Sequence, residues 1–293
     1  MTEHDKSKAD RRLTDYVRQF HDTFDGSFPE VPTSLGPSSY ELLANEVSTE
    51  ANDGAPVVLD LGCGTGRLLE ILTERGIPPE NLIGVDFSPE QINRARSRFA
   101  DMPVRLHICE AHNLPLLDDT VDYVLAHMSL AVMKPIEKTL REIHRVLGPG
   151  GVLAVVLGDE PASGSIEGHY SRILSETIAR HQSDPLSFES VDTQTAPRET
   201  LADTVRRTTG MQEVVPMRPF ELMMQMSGAE YIAFLEGDYL YQSLSDPARR
   251  EVVEAVSRLF DAHGENSVDI PLTMQLAVFA KPAAVADESG GLL

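Results

Sequence analysis

One short segment constrains this chain more than any other part of it: Val57-Val58-Leu59-Asp60-Leu61-Gly62-Cys63-Gly64-Thr65-Gly66, running directly into Arg67-Leu68-Leu69-Glu70. An apolar run that stops at an acidic residue, three glycines at alternating positions and an amphipathic stretch read as a buried strand, a tight turn and a helix. Glycine is required where the backbone takes positive φ, and where a ligand must press on main chain with no Cβ between. A ligand held by such a turn lies at the helix N-terminus, in the crevice beyond the carboxyl end of the strand.

The pattern that begins there continues. Apolar runs at 57–61, 81–86, 104–109, 121–126 and 151–157 alternate with amphipathic stretches at 67–75, 89–99 and 135–147. Strands alternating with helices predict an open, doubly wound α/β sheet with parallel strands joined by crossovers. Before it, two helices are expected, at about 9–22 and 38–48, separated by the Pro/Gly-bearing loop FPEVPTSLGP; residues 1–10 are polar and expected to fray. After it the regularity is lost. Residues 158–200 form an excursion too long for an ordinary connection and partly helical, of the kind that makes lids and substrate walls. Helices are expected near 198–208, 228–243 and 246–262, a last strand at 270–280, and a small-residue tail at 283–293. The chain therefore divides into an N-terminal helical lid (1–50), a nucleotide-type core (51–157), a region of cap helices and last strands (158–282) and the tail (283–293).

A dinucleotide fingerprint needs a third glycine or alanine at the position held by Arg67, where a large side chain hinders approach of a pyrophosphate. The spacing G-x-G-x-G after an acidic residue resembles instead the first motif of class I, Rossmann-like S-adenosylmethionine-dependent methyltransferases. Other segments agree in order. The second run ends in Asp86, 20 residues after Gly66, then Phe87 and Ser88-Pro89-Glu90-Gln91, a helix start with Ser as cap and Pro at the first helical position. The third ends at Cys109-Glu110-Ala111 and runs into HNLPLLDDTVDYVL, similar to a family segment with Asp where this chain has Glu110. EKTLREIHRVLGPGG resembles the helix and turn before strand five. The resemblance covers about residues 55–157, a third of the chain.

What the resemblance implies is a mostly parallel seven-stranded sheet and S-adenosyl-L-methionine as cofactor. Asp60, Gly62, Cys63, Gly64 and Gly66 would form its glycine loop, Asp86 would hold the ribose hydroxyls, and Phe87 would lie on the adenine. Glu110 and Ala111 would take the adenine edge, and His127 would line the methionine part. The acceptor would be a small molecule attacking through O, N or C, and the natural candidate for a base is His127, at the carboxyl end of strand four. A ring that merely packs while its backbone lines the cofactor is the competing reading. Tyr16, His21, Met128, Tyr231 and Tyr239 are candidate lid or substrate residues, with helix packing as the alternative for Tyr16 and His21. His107 reads as core, His112 as a neighbour of the adenine loop and His144 as surface. The methionine-rich stretch MRPFELMMQM (217–226) reads as core or as a pocket wall.

Charge and composition narrow the acceptor. The chain carries 25 Lys and Arg against 46 Asp and Glu, a net charge of −21 shared by both halves, so nucleic acid and anionic membranes are poor partners. Forty-one per cent hydrophobic residues support an ordinary globular core. Two cysteines, both near the expected cofactor site, a charged start and no long apolar stretch point to the cytoplasm. No spaced Cys/His/Asp set predicts a metal, and a homodimer stays open. A protein methyltransferase, a non-catalytic cofactor-binding protein and a nicotinamide enzyme are the competing functions; Arg67 weighs against the last.

Overall fold

The computed structural model describes residues 3–23, 28–48, 54–182, 186, 198–264 and 266–283. Seven strands form one sheet: β1 (Val58–Leu61), β2 (Leu82–Asp86), β3 (Arg105–Ile108), β4 (Val121–His127), β5 (Leu147–Gly158), β6 (Gln212–Met226) and β7 (Val268–Ala280). Their order is β3-β2-β1-β4-β5-β7-β6, with β1 to β5 parallel and β7 running antiparallel to both neighbours. Helices follow along the chain as α1 (Glu3–Thr23), α2 (Ser39–Ala44), α3 (Arg67–Glu74), α4 (Pro89–Arg98), α5 (Ile136–Val146), α6 (Ile166–His181), α7 (Arg198–Thr209), α8 (Gly228–Phe234), α9 (Tyr239–Gln242) and α10 (Asp246–His263). Among the described residues, no helix is long and apolar enough to cross a membrane.

The central strands are apolar on both faces because both faces are covered. Successive residues of β5 divide between two clusters: Ala154 and Val156 join Ile92, Tyr170, Phe260 and Met274 on one side, while Leu153, Val155 and Leu157 join Leu140, Val205 and Phe279 on the other. Helix α5 shows the matching pattern, burying Ile136, Thr139, Leu140, Ile143 and Val146 at helical spacing. In β1 all four residues are buried, so Asp60 is a carboxylate inside an apolar strand.

Two expectations are corrected, and for a third stretch one of its two alternatives is selected. Helix α1 begins at Glu3, not near residue 9, since residues 3–10 contain no Gly or Pro to stop it. The helix expected over 228–243 is broken: α8 ends at Phe234, a single 3-10 turn spans Leu235–Gly237, and Asp238 starts α9 afresh by accepting from the Leu240 and Tyr241 amides at 2.7 and 3.1 Å. The stretch 217–226 belongs to edge strand β6, which accommodates Pro216 where the ladder is irregular between Glu213 and Arg218 and Pro219 because an edge strand pairs on one side only. Phe220, Leu222 and Met224 face the core and Met223 faces outward, so this is core and not pocket wall. The expected excursion lies partly outside the described residues, at 183–185 and 187–197, as does nearly all of the tail.

The far end of the sheet is pinned by Lys281. Its ammonium donates to the carbonyls of His144 and Leu147 at 2.9 and 2.6 Å and to Asp119 Oδ1 at 2.6 Å, so it meets the C-terminal end of α5, where a cation is favoured. Lys281→Met should lower the unfolding free energy by about 2 kcal/mol, the worth of charge-assisted hydrogen bonds left unmade. Denaturant titration of the two proteins measures the difference.

Candidate active site

The carboxyl ends of β1, β2 and β4 open into a cavity of about 570 Å³. Helix α1, the segment through Phe28 and Pro29, Tyr40, and residues from α6, α8, α9 and β7 complete its wall. The glycine turn is fastened to β2, since the Gly62 and Cys63 amides both donate to the Val85 carbonyl, at 2.8 and 3.0 Å. All three glycines have positive φ, at 77°, 51° and 84° for Gly62, Gly64 and Gly66, yet they do different work. A Cβ on Gly64 would meet only Gln91 Oε1, at 3.8 Å, so this residue presents bare backbone to the cavity. On Gly66 it would stand 2.6 Å from the Phe99 ring, and Gly66 does not line the cavity. Gly66 thus has a packing reason of its own to be glycine, since a side chain there would collide with Phe99.

Asp86 joins the two loops. Its Oδ2 accepts from the Gly64 amide at 3.0 Å and its Oδ1 from the Ser88 amide at 2.9 Å, with the Phe87 amide also turned toward the carboxylate, which keeps acceptor capacity for a ligand. Burial holds its carboxyl above the usual range against these hydrogen bonds. In Asp60, burial and the neighbouring charge of Asp86 push the carboxyl up to about 8. Neither cysteine is a thiolate: burial raises Cys63 far above its ordinary value and Cys109 to about 11.

Helix α1 lies across these loops. Arg18 donates to Glu110 Oε1 at 3.0 Å with its guanidinium 5.3 Å from the Phe87 ring centre, and Ser88 Oγ donates to Asp22 Oδ1 at 2.7 Å. His21 carries its carbonyl to Gln91 Nε2 at 2.9 Å, its ring edge to Phe87 and its Nε2 to the Tyr239 hydroxyl at 2.6 Å. Glu110, expected at the adenine edge, is also held by Arg18. Tyr16 stands behind the wall, its hydroxyl donating to the Tyr239 carbonyl at 2.7 Å. Ala111, Phe87, Met128, Tyr231 and Tyr239 all line the cavity. Met128 does so with φ 52°, a left-handed conformation rare outside glycine and held by its amide bond to Val156.

His127 is not placed as a base. Its Nε2 is 2.9 Å from Ser39 Oγ, Tyr40 stacks on its ring at 3.8 Å and Phe28 meets it edge-on at 5.3 Å. Burial alone pushes its pKa down to about 3, so the ring is neutral and far too weak to take a proton near neutrality. The competing reading, a packed ring lining the cavity, is the one the geometry favours. Sequence reasoning also missed Tyr40, Phe28, Glu167 and Tyr170. The Ser38-x-x-Glu41 capping box marks the start of α2 and could have drawn attention to Tyr40, but nothing local marks the others.

Residues 59–155 match the family model described as a methyltransferase domain. Among curated proteins the chain is similar to the ubiquinone/menaquinone biosynthesis C-methyltransferase UbiE of Desulfotalea psychrophila, 34% identical over 105 residues, which is 36% of this chain and 42% of that protein. The chain thus spans less than half the length of this relative. Among solved structures it is similar to the [4+2]-cyclase SpnF (TM-score 0.55, 18% identity, 95% of each chain). It is also similar to phosphoethanolamine N-methyltransferase 2 of Haemonchus contortus with S-adenosylhomocysteine (TM-score 0.52, 16% identity, 93% of this chain and 59% of that one). At these identities the structural likeness is one of fold.

The glycines generate a prediction. Gly64→Ala and Gly66→Ala share the cost of a Cβ in the left-handed region, about 1–2 kcal/mol. Only Gly66→Ala adds the overlap with Phe99, so it should be the less stable variant in denaturant unfolding, by about 1 kcal/mol or more.

Proposed function

We propose, from the premise that residues 59–155 are a class I S-adenosylmethionine-dependent methyltransferase domain, that this chain transfers a methyl group to a small-molecule acceptor enclosed in the cavity. The observation that carries this reading is the pairing of Asp86 with the open main chain of Gly64 at the end of β1, beside the buried Asp60. Free lone pairs on Asp86 suit two ribose hydroxyls, and a carboxylate held high by burial, as Asp60 is, suits a ligand that brings positive charge. Phe87 offers a face for the adenine, with Glu110 and Ala111 at its edge. Bound there, S-adenosylmethionine supplies a methyl group on a positively charged sulfur, a leaving group that needs no activation.

What remains for the protein is alignment and exclusion of water. The neutral ring of His127, sandwiched by Tyr40 and Phe28, gives the reacting region an uncharged, rigid wall. Helix α1, which crosses the loops after β2 and β3, would serve as the lid over the site. The segments after β5 wall the half that would hold the acceptor. A concave cavity in a chain of net charge −21 favours a small molecule over nucleic acid.

Asp86→Ala removes two hydrogen bonds to a charged acceptor, each worth about 1.5–3 kcal/mol, so affinity for S-adenosylhomocysteine should fall by a factor of ten or more in calorimetric titration. Unchanged affinity would place the cofactor elsewhere. Hydrogen exchange tests the lid: amides of 9–22 and 158–200 should gain protection when S-adenosylhomocysteine is added. Protection limited to 60–67, 86–88 and 110–112 would leave the fold assignment standing and remove the lid.

A further inference from the structure

The segments after β5 bring to the cavity three carboxylates, Asp159, Glu167 and Asp238, and the rings of Tyr170, Tyr231 and Phe234. The environments of Asp238 and Glu167 differ sharply. Asp238 is fully committed to structure: Oδ1 caps α9 through the Leu240 and Tyr241 amides, and Oδ2 accepts the Tyr170 hydroxyl at 2.8 Å. Glu167 stands in the first turn of α6, which Ser165 caps by accepting from the Gly168 amide at 3.0 Å. Its Oε2 is fully buried and has no hydrogen-bond partner among the described residues. A buried polar atom left without a partner costs free energy that a binding partner can return.

We propose that Glu167 receives the methyl acceptor and that this acceptor is an amine, bound as its ammonium with its apolar body against Tyr170, Tyr231 and Phe234. The inference deepens the methyl-transfer reading and rests on it. An ammonium matches what this half of the cavity lacks: it brings positive charge to a wall where carboxylates predominate, and donors to a Glu167 carboxyl whose buried Oε2 has no partner and can turn to meet them. Burial, reinforced by the charge of Asp238, pushes the Glu167 carboxyl up to about 8, and a cation seated against it would draw the value back down. The rings add to this. Tyr170 and Tyr231 meet edge to face at 5.9 Å and Tyr231 lies 6.3 Å from Phe234, a cluster whose π-faces attract cations. A hydroxyl acceptor would offer a hydrogen bond but no charge to draw the carboxyl toward its ionised form.

Glu167 then has a second task. An ammonium has no lone pair, so one N–H bond must break before the nitrogen can attack. The proton passes to a Glu167 oxygen, forming its O–H bond, and the electron pair stays on nitrogen as the nucleophile. The carboxylic acid gives the proton to water when the cavity opens. His127 is too weak a base to compete for it.

The test uses the full chain saturated with S-adenosylhomocysteine and titrated calorimetrically with a panel of arylalkylamines of increasing size, each paired with the alcohol of the same skeleton. The amine should bind about ten-fold tighter than its alcohol, and Glu167→Gln should erase that preference while affinity for S-adenosylhomocysteine stays within about two-fold. Alcohols binding as tightly as amines, a preference that survives Glu167→Gln, or no amine of the panel binding would overturn the proposal. Failure of the wild-type chain to bind S-adenosylhomocysteine would instead defeat the methyl-transfer reading beneath it.

Discussion

The carboxylate of Asp86 holds two amides that belong to different loops, and the geometry of the site follows from that. Gly64 sits in the turn after β1 and Ser88 at the start of α4 after β2, and one side chain accepts from both. Neighbouring strands in a sheet are fixed in spacing, but the loops beyond their ends are not, and a shared acceptor is what sets the distance between them. Because the carboxylate is nearly buried, each of those hydrogen bonds works in a low dielectric, where leaving it unmade is expensive. The Val85 carbonyl repeats the arrangement on the other side by taking the Gly62 and Cys63 amides. The turn is thus prepared before any ligand arrives.

Around this fixed centre the chain arranges two kinds of wall. On the side of β1 to β3 the wall is mostly backbone and short polar groups, suited to recognising a nucleoside. On the side of α6 and α8 it is aromatic and acidic, built by side chains distant in sequence. Tyr170 and Asp238 show how that second wall is stabilised: the hydroxyl of one satisfies the carboxylate of the other, and the same carboxylate starts α9. Removing either partner would leave a buried polar group exposed to its own desolvation cost.

The five parallel strands and their helices were legible because each is announced locally, by an apolar run, a glycine turn or a capping residue such as Ser88. Asp86 and Gly64 were legible for the same reason. What was not legible depends on contacts between distant segments. The low basicity of His127 comes from Ser39, Tyr40 and Phe28 closing around it, and the role of Gly66 from Phe99, more than thirty residues away. Edge strand β6 was obscured by its prolines, and the break between α8 and α9 by an apolar pattern that carries on past Gly237.

Helix α1 touches both walls at once. Through Arg18 and Asp22 it grips the loops after β3 and β2, and through His21 and Tyr16 it grips Tyr239 on the opposite side. One element therefore borders both walls, and if it had to lift for one ligand to leave it would have to lift for the other. Such a construction couples the exchange of two ligands kinetically: a spent cofactor and a finished product would wait on the same opening event. Turnover would then be limited by how often one helix lifts, and the order of departure would depend on which ligand holds that helix more firmly.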